Sequence, residues 1–79
     1  MAKHSSYEKA SKEIGEKLKA IRIAKKYTSY ENFALENNID RKQYWRIENG
    51  HNLTLKSLVK ILDIHKMSLK EFFSKEFDS

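Results

Sequence analysis

The sequence predicts an all-α fold, a compact five-helix domain whose first helix is extended at its N-terminus. Three observations predict it. Apolar residues recur at spacings of three and four through most of the chain, the period of a helix with one buried face. The 79 residues include no Pro and only two Gly, so little interrupts those runs. Helix-starting signals, a short polar residue followed three positions later by Glu or Gln, recur at residues 28–31, 40–43 and 68–71.

The elements follow in order. Ser5 or Ser6 can cap a first helix running to about Lys26, after a frayed stretch at residues 1–4. Its apolar stripe is Tyr7, Ala10, Ile14, Leu18 and Ile21. Thr28 is expected to cap the second helix in a capping box with Glu31, and Phe33 and Ala34 supply the inward face. That helix stops at Asn37-Asn38, because Asn tolerates a left-handed backbone better than any residue except Gly. Ile39 anchors the turn, and Asp40 caps a third helix with Gln43 three residues on. Gly50 ends it at the position where glycine serves as a C-terminal cap. Thr54 caps a fourth helix whose expected core positions are Leu55, Leu58, Val59, Ile61 and Leu62. Ser68 and Glu71 box the fifth, where Met67, Leu69, Phe72 and Phe73 are expected to finish the core.

The third helix carries the chemistry. It presents Arg41, Lys42, Trp45, Arg46 and Asn49 outward. A wheel at about 100° per residue puts Tyr44, Ile47, Glu48 and Arg41 on one side and Lys42, Trp45, Arg46 and Asn49 on the other. Tyr44 and Ile47 are the buried pair. The outer face holds cations, an amide and a large aromatic and lacks acids, and such donors suit phosphate oxygens and base edges.

Charge agrees. The net charge is +5, unevenly spread: residues 1–27 carry eight Lys/Arg against three Glu, residues 28–40 only acids, and residues 41–66 six cations against two acids. A basic chain with a basic central segment fits a polyanion. There is no Cys, hence neither disulfide nor Cys-based metal site. His4, His51 and His65 are scattered, so no metal is expected and His65 reads as structural. No long apolar run suggests a membrane span or signal peptide, and a cytoplasmic location is expected. No acid–base pair at productive spacing, no Ser/His/Asp arrangement and no glycine-rich phosphate loop suggests an enzyme, and no cofactor or small-molecule effector is implied.

The stretch from Thr28 to Gly50 resembles the helix-turn-helix of the lambda-repressor/Cro (XRE) family. I-G-E-K-L-K-A-I-R at 14–22 is similar to that family's first helix, and R-K-Q-Y-W-R-I-E-N-G at 41–50 to its recognition helix and exit. N-L-T-L-K-S-L-V-K-I-L at 52–62 and S-L-K-E-F-F at 68–73 are similar to the last two helices. The resemblance divides the single domain into an N-terminal extension (1–13), a family-like core (14–73) and a tail (74–79). The extension holds Lys3, Lys9 and Lys12, either as a solvated extra turn or two or as a basic arm.

The resemblance implies a sequence-specific regulator of transcription, bacterial in type, that binds double-stranded DNA as a homodimer on a pseudo-palindromic operator. Arg41, Lys42, Trp45 and Arg46 are the expected base contacts. Ser29, Tyr30, Gln43, Asn49, His51, Asn52 and Lys56 are the expected backbone contacts. Arg22 is implied to pair with Glu48, which sits on the inward side of its helix and needs a partner there. Phe73 and Phe77 are implied at the dimer interface. Two departures stand out. Ser29-Tyr30 replaces the Gln common at the start of the family's second helix, and Trp45 stands where a small or polar residue is common. D-R at 40–41 with N-L-T-L-K-S-L at 52–58 also resembles the controller proteins of restriction–modification systems. An antitoxin of the same fold, or an interaction module that has lost DNA binding, are the other readings.

Overall fold

The computed structural model describes residues 2–51 and 53–74, with backbone alone for residues 2–5. Five helices follow one another: α1 (Ala2–Ala24), α2 (Tyr30–Glu36), α3 (Arg41–Glu48), α4 (Leu55–Ile64) and α5 (Leu69–Phe73). No strand occurs among the described residues. α3 packs on both α1 and α2, and α5 closes on α4.

The helices stop in one way. α1, α2, α3 and α4 each end on a residue with positive φ: Lys26 (78°), Asn38 (58°), Gly50 (83°) and Lys66 (57°). In each case the next residue donates its N–H back five positions: Tyr27 to Arg22, Ile39 to Ala34, His51 to Arg46 and Met67 to Leu62. This is the Schellman motif, which satisfies carbonyls that a helix end leaves open. The motif also turns its last residue inward. Tyr27, Ile39 and Met67 are half-buried against the core, so three helix ends are held by apolar contact as well as by hydrogen bonds.

The helices start on Ser29, Asp40, Thr54 and Ser68, whose side chains accept from backbone N–H groups of the first turn. Ser68 and Glu71 form a reciprocal capping box. The expected cap at Thr28 is replaced by Ser29, whose hydroxyl accepts from Glu31 and Asn32 N–H at 3.1 and 3.2 Å. The cause lies upstream. Tyr27 sets its ring edge-on to Phe33 at 5.0 Å, so Thr28 is spent leading away from that contact. The bounds of α1 also differ from expectation: it begins before Ser5 and gives way to a turn at Lys25-Lys26.

Leu18, Phe33, Ala34, Tyr44, Ile47, Leu58, Ile61, Leu62 and Phe72 form the core. Phe33 is its centre, with Tyr44 tilted at 4.9 Å and His65 stacked at 5.2 Å. Several expected core positions are exposed instead. Tyr7 and Ala10 precede the point where α1 meets the body, since a helix of 23 residues is about 34 Å long and outruns it. Leu55 is the first residue of α4 and is 67% exposed. Leu69 and Phe73 lie on the outer side of α5, while Phe72 alone is fully buried. The Lys17 ammonium donates to the Phe72 carbonyl and lies 4.9 Å from its ring centre, tying α5 to α1.

Candidate nucleic-acid interface

The candidate interface is built around α3. The Asp40 carboxylate accepts the Gln43 N–H at 3.0 Å and starts the helix, and Gly50 stops it ten residues later. Tyr44 and Ile47 are buried against the core. With that side fixed, helical geometry sends Lys42, Trp45, Arg46 and Asn49 outward. Arg41 joins them: its side chain is 68% exposed, so its place on the inward side of the wheel is corrected.

Arg41, Lys42, Trp45 and Arg46 line one open cleft of about 370 Å³, together with Tyr30 and Glu31 from the start of α2. Glu31 adds an acid to the cleft from outside α3. Its carboxylate lies 3.8 Å from the Arg41 guanidinium. The α3 face itself carries no acid, and the carboxylate arrives from the neighbouring helix. Trp45 is 44% exposed, a large aromatic left in solvent.

The inner side of α3 meets α1 along a tight seam. At Gly15 an added Cβ would stand 2.5 Å from the Glu48 carbonyl oxygen and 2.6 Å from that of Ile47. At Gly50 it would stand 3.0 Å from the Lys12 Cα. Between these contacts Arg22 Nε donates to Glu48 Oε2 at 2.7 Å, and Arg22 Nη2 donates to Oε1 at 3.3 Å. Arg22 Nη1 donates to the Tyr27 carbonyl at 2.6 Å. The pair is buried, and burial opposes the Arg22 charge. The Glu48 carboxylate more than offsets this and holds the guanidinium pKa above its ordinary value. The Tyr44 hydroxyl lies beside the pair with no partner at hydrogen-bonding geometry among the described residues. Burial first, and Glu48 second, raise its pKa.

The remaining predicted positions separate into groups. Ser29 is half-buried and its oxygen is committed to the α2 cap. Tyr30 is half-buried and lines the α3 cleft. Gln43 is exposed on another side of α3, where it shares a small cleft with Ser57 and Lys60 of α4. The Asn49 side chain donates to the Trp45 carbonyl at 2.9 Å and so closes the end of α3. His51 and Lys56 are exposed. Phe73 is 43% exposed and packs its ring edge against Phe72. Asn52 and Phe77 lie outside the described residues. His65 is buried, and its Nε2 has no hydrogen-bond partner among the described residues. Among the described residues no group of three or more His, Cys, Asp or Glu could hold a metal ion. No helix among them is long and apolar enough to cross a membrane.

Sequence reasoning missed several positions. Gly15 was legible as a glycine inside a long helical run, which costs about 1 kcal/mol relative to Ala unless close packing requires it. Lys12, already read as part of a candidate basic arm, falls on one face of α1 with Glu16 and Lys19, which were not singled out. They line a second cleft, of about 390 Å³, that borders Trp45, Tyr30 and Asn49. Nothing local marks that face as the one beside α3.

A short helix held by its inner face, entered through a tight turn from α2 and cationic outside, defines a helix-turn-helix protein. Over 62 residues the chain is 43% identical to Control protein C.MunI of Mycoplasma sp, covering 77% of this chain and 84% of that protein. The chain belongs to the family of that control protein. No family model and no solved structure matches it.

Proposed function

We propose that this protein is a sequence-specific double-stranded DNA-binding transcription regulator of the restriction–modification controller kind. The observation that carries the reading is the cleft shared by Arg41, Lys42, Trp45 and Arg46 on the exposed face of a helix whose inner face is buried. In the major groove Arg41, Lys42 and Arg46 offer donors to base edges, Arg or Lys to guanine being the commonest such contact. Tyr30, Asn49, His51, Asn52 and Lys56 are the proposed contacts to the DNA backbone, with Ser29 and Gln43 as further candidates. The likeness to a protein named as a control protein supports the controller reading over an antitoxin or an interaction module. As a homodimer, with Phe73 and Phe77 at the contact, the protein sets two recognition helices about 34 Å apart on a pseudo-palindrome.

The test is selection of bound duplexes from a random pool, with the winners titrated at several salt concentrations. A pseudo-palindrome bound ~10³-fold or more above random DNA is the expected result. No enriched motif, with affinity that collapses as salt rises, removes the regulator reading and leaves charge-driven binding.

A further inference from the structure

Tyr30 and Trp45 line both clefts and so stand as a ridge between them. On one side lie the α3 cations. On the other lie Lys12 and Lys19 of α1, with Asn49 at the edge and the Arg22–Glu48 pair in the wall. We propose that this second cleft seats one phosphate of the duplex backbone, held by Lys12 and Lys19. The proposal rests on the DNA-binding reading above and adds α1 to the contact surface.

Lys12 and Lys19 are seven residues apart, about 10 Å along the axis and nearly the same angle around it. Their four-carbon stems let both ammonium groups converge on one anion between them. The lysines are fixed relative to α3, because the Lys12 backbone abuts Gly50 and Gly15 abuts the Glu48 carbonyl. The charges in the wall are largely accounted for. Arg22 and Glu48 neutralise each other at 2.7 Å, which leaves two lysines against Glu16. Among the described residues none of those three forms an ion pair. The net attraction is therefore for an anion. The Tyr30–Trp45 ridge belongs to both clefts, so one partner covers both sides. A duplex supplies base edges for one cleft and backbone phosphate for the other. Under this assignment the Trp45 ring lies against the sugar-phosphate strand between them.

The experiment compares four proteins on the selected duplex and on random duplex across a salt series: wild type, Lys12→Ala/Lys19→Ala, Lys12→Arg/Lys19→Arg and Arg46→Ala. All four are first checked for unaltered melting. The double alanine variant is expected to lose about tenfold in affinity on both duplexes. Its plot of log affinity against log salt should flatten by about 0.9 per protomer, the signature of one phosphate contact. The arginine pair should restore both quantities. Arg46→Ala should instead narrow the gap between selected and random DNA. Wild-type affinity and slope in the double alanine variant, with Arg46→Ala behaving as expected, overturns the phosphate seat and leaves the regulator reading intact. A loss confined to the selected duplex also overturns it, since a phosphate contact carries no sequence. Absence of duplex binding by the wild type overturns both.

Discussion

Gly15→Ala tests whether α3 is seated on α1 as tightly as the structure shows. Propensity alone predicts a gain, because Ala in a helix interior is favoured over Gly by about 1 kcal/mol. The seam predicts the opposite. The new Cβ would stand 2.5, 2.6 and 2.8 Å from the Glu48 oxygen, the Ile47 oxygen and the Glu48 carbonyl carbon. All three are backbone atoms, so no rotamer change relieves them. Ordinary contact begins at 3.4 Å, and α1 must retreat from α3 by about 0.9 Å to reach it. Forcing a methyl into a packed interface costs 1–3 kcal/mol and occasionally more, and a clash with rigid backbone belongs at about 3. Subtracting the propensity gain leaves a destabilisation of about 2 kcal/mol. For a domain of this size that is a fall in melting temperature of roughly 10 °C. Denaturant unfolding followed by far-UV circular dichroism reads the difference as a shift in midpoint at constant slope. A variant as stable as the wild type, or more so, would refute the close approach of α1 to α3.

Three further outcomes follow from the same structure. Glu48→Ala leaves the buried Arg22 charge unpaired and should cost about 3 kcal/mol. A double-mutant cycle with Arg22→Ala should return a coupling of about 2 kcal/mol, and additivity would contradict the pair. His65 is held below its ordinary pKa of 6.5 by burial first and the Lys25 charge second. The unfolded chain therefore takes up this proton before the native one does. Stability should fall as pH drops from about 6.5 toward the depressed native value, and it is restored above that window. His65→Phe keeps a ring against Phe33 and should flatten that part of the profile in thermal melts; an unchanged slope assigns the dependence to another group. Arg46→Ala should relax base preference at one operator position, whereas Lys56→Ala should weaken all duplexes alike. Equal losses on selected and random DNA for both variants would contradict that division.

Local signals were legible and tertiary ones were not. Asp40, Thr54 and Ser68 were readable as caps because the whole device lies within four residues. Thr28 was read as the cap in place of Ser29 because the choice depends on Tyr27 reaching Phe33, a contact outside that window. Asn38 and Gly50 were readable as left-handed turn residues. Lys26 and Lys66 adopt the same backbone without advertising it. Their mark is the apolar residue that follows, since the terminal motif turns that residue into the core. Periodicity located an apolar face but not whether anything covers it, which is why Tyr7 and Leu55 were placed in the core and are exposed. The outward set on α3 was readable from Tyr44 and Ile47. Glu31 was not, because its carboxylate enters the cleft from another helix.

The seam also bears on recognition. An eight-residue helix does not hold its conformation alone. The pose of α3 comes from what it rests on, and Arg22 is the hub. Its guanidinium spans the Glu48 carboxylate and the Tyr27 carbonyl, and Tyr27 in turn touches Phe33 of α2. One side chain thus joins α3, the end of α1 and the core residue under α2. Arg22→Lys separates the charge from this geometry. The ammonium can still neutralise Glu48, but it lacks the planar fork that reaches two partners in fixed directions. Charge-driven binding to random DNA depends little on the pose of α3, whereas base reading depends on it to within about 0.5 Å. Arg22→Lys should therefore leave affinity for random duplex nearly unchanged and reduce affinity for the selected duplex by about tenfold, with the salt slope preserved. Equal weakening on both would mean that Arg22 acts through stability or charge alone, and the link between the buried pair and the reading surface would have to be given up.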